Sequence, residues 1–349
     1  MYEIFKFKKD DLKNLYDAIS ENQKLYFADE LSKPPKDFFF PQSETLYTAY
    51  RNLKKINIQQ ESVEKENFVL FGVKPCDMRG IEILDKVYLS DPIDTYYAAR
   101  RECSTVVVFA CSEPEETCFC TAFNIEPVES SGDVTIWFVE DEVFWQPVTE
   151  KGNSLTSYLY KFNILKNTVA SDDEHLNNHK NSINEIMKRL PFSNLSLKNW
   201  DGADLMEKFN SPLWEDLHKA CIACGTCTFL CPTCQCYDIK DSESNVREGQ
   251  NQGLQSETGN CVSSCIKRYR CWDSCMYSDF TLMAHGNNRT TQMQRFRQRF
   301  MHKLVYFPEN HEGVYSCVGC GRCIDKCPSS LNIVKVIKAF ETNETNQSF

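Results

Sequence analysis

Cys221, Cys224, Cys227 and Cys231, followed by Pro232, have the same spacing as Cys317, Cys320, Cys323 and Cys327, followed by Pro328: C-x2-C-x2-C-x3-C-P in both. A [4Fe–4S] cubane needs thiolates at its iron corners, so a tight turn has to wrap three sulfurs around one face of the cluster. Gly225 and Gly321 let the backbone come close. In two-cluster ferredoxins the fourth cysteine of each run ligates the other run's cluster. The spacing therefore predicts two [4Fe–4S] clusters, one on Cys221, Cys224, Cys227 and Cys327 and the other on Cys317, Cys320, Cys323 and Cys231. Structural zinc sites use cysteine pairs parted by a longer loop. A c-type haem needs a histidine directly after a C-x-x-C pair, and none of these pairs has one.

A third group of cysteines depends on the elements around it. Phe68–Val73 and Val106–Ala110 are short apolar runs of buried-strand type, and between them Ile81, Leu84 and Tyr88 recur at helical spacing behind Asp77, a candidate helix cap. A strand–helix–strand unit normally makes its two strands parallel neighbours. Cys76 and Cys111 then leave the sheet at its carboxyl edge, where open α/β sheets place their ligands, and the following loop returns Cys118 and Cys120 to the same place. These four thiols are predicted to hold a third [4Fe–4S] cluster. Cys103 precedes the second strand and belongs at the opposite edge.

Nineteen cysteines in a chain whose start shows no basic, apolar or cleavage-site segment point to reduced thiols and a cytoplasmic protein. No apolar stretch is long enough to span a bilayer. The formal charge of −10 gives no basis for nonspecific nucleic-acid binding and favours a protein partner. We expect an α/β domain over 1–165, a polar connection rich in Asn, Asp and Ser over 166–199, and a mainly α-helical, ferredoxin-like dicluster domain over 200–349. The interval between the two runs is too long for a compact β-hairpin ferredoxin and predicts helices between the clusters. It also holds Cys234, Cys236, Cys261, Cys265, Cys271, Cys275 and His285, any of which is a candidate further ligand. Within Asn288–Val305, Met293, Phe296, Phe300 and Leu304 share one face, with Arg295, Arg297, Arg299 and Lys303 elsewhere, as expected of an amphipathic helix with a solvated or partner-docking basic face.

Together, PCD at Cys76, CFC ending at Cys120, CPTCQC over 231–236, WDSC over 272–275 and the final CVGCGRC resemble the 4Fe–4S dicluster family. That family includes the β subunit of cytoplasmic sulfur-reducing nickel–iron hydrogenase, or sulfhydrogenase, and the corresponding iron–sulfur subunit of anaerobic sulfite reductase. The similarity runs from about Phe68 onward. It implies an electron-transfer subunit between a flavoprotein that binds FAD and NAD(P)H and a separate catalytic oxidoreductase subunit of anaerobic metabolism. The chain shows no Walker A loop, no G-x-G-x-x-G after a strand, no H-E-x-x-H and no nucleophile–base motif of its own. The competing expectations are a reductase that acts on substrate at an unusual cluster built from the surplus cysteines, and a binding module with structural clusters.

Overall fold

The computed structural model describes residues 3–28, 33–52, 55–62, 65–165, 167–170, 172–200, 202, 204–244 and 264–347. The chain opens with β1 (Ile4–Lys8), α1 (Leu12–Ser20) and β2 (Lys24–Phe27), then forms the hairpin β3 (Ser43–Asn52) and β4 (Lys55–Gln60). The predicted crossover follows: β5 (Phe68–Val73), α2 (Pro75–Tyr88), α3 (Thr95–Cys103) and β6 (Ser104–Phe109). The hairpin β7 (Val134–Val139) and β8 (Glu142–Pro147) leads to α4 (Glu150–Tyr160), the edge strand β9 (Asn167–Val169) and α5 (Glu174–Arg189).

Among the described residues these strands form a seven-stranded sheet of order β2-β5-β6-β7-β8-β1-β9. Strands β2, β5, β6 and β7 are parallel, and β8, β1 and β9 extend the sheet antiparallel. Leu70 pairs with Val106 and Phe71 with Val107. All of β5 is buried because both faces of the sheet are covered, which is why it reads as a continuous apolar run without alternation. Val69, Phe71 and Val107 pack with Leu15 and Ile19 of α1 and Leu155 and Leu159 of α4. Leu70, Val106 and Val108 pack with Ile81 and Leu84 of α2 and Tyr97 of α3 on the other side.

Two expectations change here. Asp77 does not cap α2: Lys74 holds the N-cap position, and Asp77 lies buried inside the first turn, where it meets another part of the chain. The segment 166–199 is not a simple connection, since β9 pairs with β1 and α5 buries Leu176, Ile183 and Met187.

The later part contains α6 (Leu205–Asn210), α7 (Leu213–Leu217), α8 (Thr226–Phe229), β10 (Tyr237–Ser244), β11 (Ser264–Trp272) and α9 (Gln292–Met301). A π-helical segment, His302–Tyr306, carries α9 into α10 (Phe307–Asn310), and α11 (Arg322–Asp325) and α12 (Ile333–Gln347) complete it. Instead of opening with helices, the interval between the cysteine runs opens with a long antiparallel ribbon, β10–β11. That ribbon continues into the first part of the chain: β11 pairs with β3, giving a second sheet of order β10-β11-β3-β4. Arg270 on β11, buried, pairs with Glu44 of β3 at 2.5 Å and with Asp94 at the start of α3. The boundary expected between 165 and 200 is therefore bridged by strand pairing and by buried charge.

Candidate metal centres

Each run opens with positive-φ turns that only small side chains tolerate well. Gly225, at φ +77°, precedes α8, and Gly321, at φ +75°, precedes α11. A short helix then presents the third cysteine and returns the fourth. Cys221, Cys224 and Cys227 line one cavity together with Cys327 from the other run, with Met276, Phe296 and Arg299 as further walls. Backbone amides point at the sulfurs: Ala223 N–H donates to Cys221 Sγ at 3.4 Å, and Leu331 N–H to Cys327 Sγ at 3.3 Å. Hydrogen bonds to thiolate favour the charged form that a cluster needs.

Cys231 lies on the other side, beside Cys317, Cys320 and Cys323, each of which feels its charge. Burial pushes the Cys317 thiol up to about 12; Lys303 favours its ionisation, while Cys323 and Cys231 oppose it. Such thiols ionise when a metal supplies the compensating positive charge, so binding releases protons. Four thiols with inward amides, in a hollow walled by apolar side chains, fit an iron–sulfur cluster in donor chemistry. Among the described residues no three Cys, His, Asp or Glu side chains close round a single ion. A cubane spreads its thiolates over separate iron corners.

Two of the basic residues expected on a solvated or docking face are buried instead, while Arg295 and Arg297 stay partly exposed. Arg299 and Lys303 are only 5% and 4% exposed. Lys303, in the π-helical segment, donates to Cys231 Sγ at 3.4 Å, to Thr233 Oγ1 at 2.9 Å and to Ser316 O at 2.9 Å. Arg299 lies between the two runs, where Cys227 and Cys323 are the first charges to act on it. Arg297 stacks 3.5 Å from the Phe209 ring, and Arg295 donates to Met276 O. A buried cation needs a counter-charge, and beside Arg299 and Lys303 the thiols are the groups able to provide it.

Cys76 follows β5 and Cys111 follows β6, so the parallel pairing brings both out at the same edge of the sheet. Burial pushes Cys120 up to about 12, with Cys118 and Cys111 the charges that act most on it, and Cys120 in turn acts on Cys76. Burial likewise pushes Cys111 up to about 11, with Cys118 the charge that adds most to the shift. Cys103 sits at the other edge, in a hollow with Asn22, Asn67 and Lys151. The group is not confined to the first part of the chain. Phe119 N–H donates to Gly319 O at 2.9 Å, and Arg322, inside the second run, forms a two-pronged pair with Asp77 at 2.5 and 2.6 Å. Gly319 has φ +58°, and a Cβ there would collide with Phe119 O and Cys120 N. Gly319→Ala is expected to cost about 2 kcal/mol or more, read as a lowered midpoint in chemical denaturation.

The remaining candidates separate. Cys234, Cys236 and Cys275 gather beside Cys231, whereas Cys265 and Cys271 lie on β11, partly exposed, and His285 is exposed. Cys261 lies outside the described residues. Sequence reading missed Arg299, Lys303 and the Asp77–Arg322 pair; the one available signal was Arg322's position between two ligand cysteines.

The 4Fe–4S dicluster domain family matches residues 220–331, the stretch that contains both runs. Sulfhydrogenase 2 subunit beta of Pyrococcus furiosus is 32% identical over 307 residues, 87% of this chain and 81% of that protein. No solved structure matches the chain. With cysteine runs, cavity and similarity in agreement over most of its length, the chain belongs to the iron–sulfur dicluster family of sulfhydrogenase β-type subunits.

Proposed function

We propose that this chain relays electrons between a flavoprotein subunit that handles NAD(P)H and a separate catalytic oxidoreductase subunit of hydrogenase or sulfite-reductase type, in the cytoplasm. Two [4Fe–4S] clusters, held by the two exchanged ligand sets, and a third on Cys76, Cys111, Cys118 and Cys120 would carry the current. Such clusters, when bound, take up and release single electrons. The observation that carries the proposal is the cavity shared by Cys221, Cys224, Cys227 and Cys327, because it joins the two runs in one array. Cys224 is exposed there, and Ile222 is 66% exposed, so this end of the array meets the surface where a partner can approach. The site beside Cys231 is enclosed by Lys303, Thr233 and Ser316, and the Asp77–Arg322 pair fixes the third group against it. Among the described residues no helix is long and apolar enough to cross a membrane.

Anaerobically reconstituted chain is expected to contain at least about eight iron atoms, four for each cubane of the two runs, with zinc minor by elemental analysis. Stoichiometric zinc with iron near zero would end the proposal. For the relay itself, NAD(P)H should reduce the chain only when a flavoprotein subunit is present. With reduced viologen as donor, the chain alone should turn over neither protons nor sulfite. Turnover by the isolated chain would favour direct substrate reduction instead.

A further inference from the structure

Arg295, Arg297, Arg299 and Lys303 leave α9 and the π-helical segment after it, and packing alone accounts for the first two. Arg295 donates to Met276 O and Arg289 O, and Arg297 donates to Phe209 O while stacking on the Phe209 ring. Lys303 donates to Cys231 Sγ, Thr233 Oγ1 and Ser316 O. Arg299 differs from all three. It is as buried as Lys303, and its Nε has no hydrogen-bond partner. The charges that act most on it are thiols, Cys227 and Cys323 first.

Its place follows from the helices around it. Arg299 lines the cavity of Cys221, Cys224, Cys227 and Cys327. One helical turn further on, Lys303 reaches Cys231, which belongs with the other set. Cys227 is carried by α8 and Cys323 by α11, and these two short helices pack against each other. Arg299 therefore stands where the two exchanged ligand sets meet. A guanidinium is planar, directs N–H groups to more than one side and does not lose its proton in proteins. A thiolate-bound cubane gains one negative charge on reduction, so a fixed cation beside it favours the reduced form.

We propose that Arg299 is a positioning residue shared by the two ligand sets, whose single fixed charge raises the reduction potentials of both clusters together; this rests on the reading of the chain as an iron–sulfur relay. Lys303, set against Cys231, adds its charge to one set. Because Arg299 acts on both, it raises them without driving them apart, as the passage of single electrons from one to the other requires. Arg299 itself takes up and releases no proton in the step.

Redox titration of the anaerobically reconstituted full chain, followed by electron paramagnetic resonance, tests this. In Arg299→Met the signal lost on Cys224→Ala and the signal lost on Cys320→Ala should both move to lower midpoint potential, with iron retained. Arg299→Gln, a second uncharged variant, should shift them the same way. Lys303→Met should lower the second signal more than the first. Arg299→Lys keeps a charge, and both signals should lie nearer their wild-type potentials than in Arg299→Met. A shift confined to one signal, unchanged potentials in Arg299→Met, or potentials in Arg299→Lys as low as in Arg299→Met would overturn the shared role. Loss of iron from both Arg299→Met and Arg299→Gln would also overturn it, by reducing Arg299 to a support of the fold. Absence of both signals from the wild-type chain would instead overturn the relay reading.

Discussion

Replacing Cys231 by alanine is expected to take about four iron atoms from the site of Cys317, Cys320 and Cys323 and to leave the site beside it in sequence loaded. The reason is positional. Pro232 turns the chain away after Cys231, and the Cys231 thiol ends beside the other run, with Lys303 donating to its sulfur at 3.4 Å. Beside the first run stands Cys327, which lines the cavity of Cys221, Cys224 and Cys227. Cys327→Ala should therefore produce the opposite loss. Iron analysis alone cannot separate the two variants, since each loses one cubane. Electron paramagnetic resonance of the reduced proteins can, because the signal that survives in one should be the signal lost in the other. Identical surviving signals, or a Cys231→Ala protein that keeps the signal removed by Cys320→Ala, would show that each run closes its own cluster.

Much of this arrangement was legible because spacing is local chemistry. The two cysteine runs and the parallel pairing of β5 with β6 follow from residues a few positions apart, and both are present. What stayed hidden depends on partners distant in sequence. Arg299 and Lys303 read as a solvated or partner-docking basic face because helical periodicity records charge, and burial of a charge is decided by what stands opposite it. Asp77 looked like a helix cap for the same reason: its acidic side chain suits an N-terminus, but Arg322, from the second run, takes both of its oxygens. The ribbon β10–β11 was missed because its residues, Tyr237–Ser244 and Ser264–Trp272, alternate polar and apolar weakly and gain their place by pairing with β3. With β3 and β11 in one sheet, a division of the chain into separate halves at 165–200 loses its basis in strand pairing.

That last point changes how the third site has to be tested. A fragment ending near residue 165 would lose β10 and β11, which complete the second sheet, and the Gly319–Phe119 and Arg322–Asp77 contacts that fix the Cys118–Cys120 loop. Failure of the fragment to bind iron would say nothing about the thiols, so the measurement belongs in the full chain. Cys118→Ala and Cys111→Ala are each expected to lower iron by about four atoms relative to wild type and to remove one paramagnetic signal. Cys103→Ala, whose thiol lies at the opposite edge of the sheet beside Asn22 and Asn67, should change neither. Arg322→Met supplies the complementary case, since it keeps every cysteine but strands the Asp77 carboxylate, 2% exposed, next to Cys76. An uncompensated buried negative charge opposes further negative charge nearby. The signal assigned by Cys118→Ala should then shift to a lower midpoint potential in Arg322→Met, with iron retained. Equal iron in wild type, Cys118→Ala and Cys111→Ala would reduce these four cysteines to packing residues and the chain to the clusters of its later part.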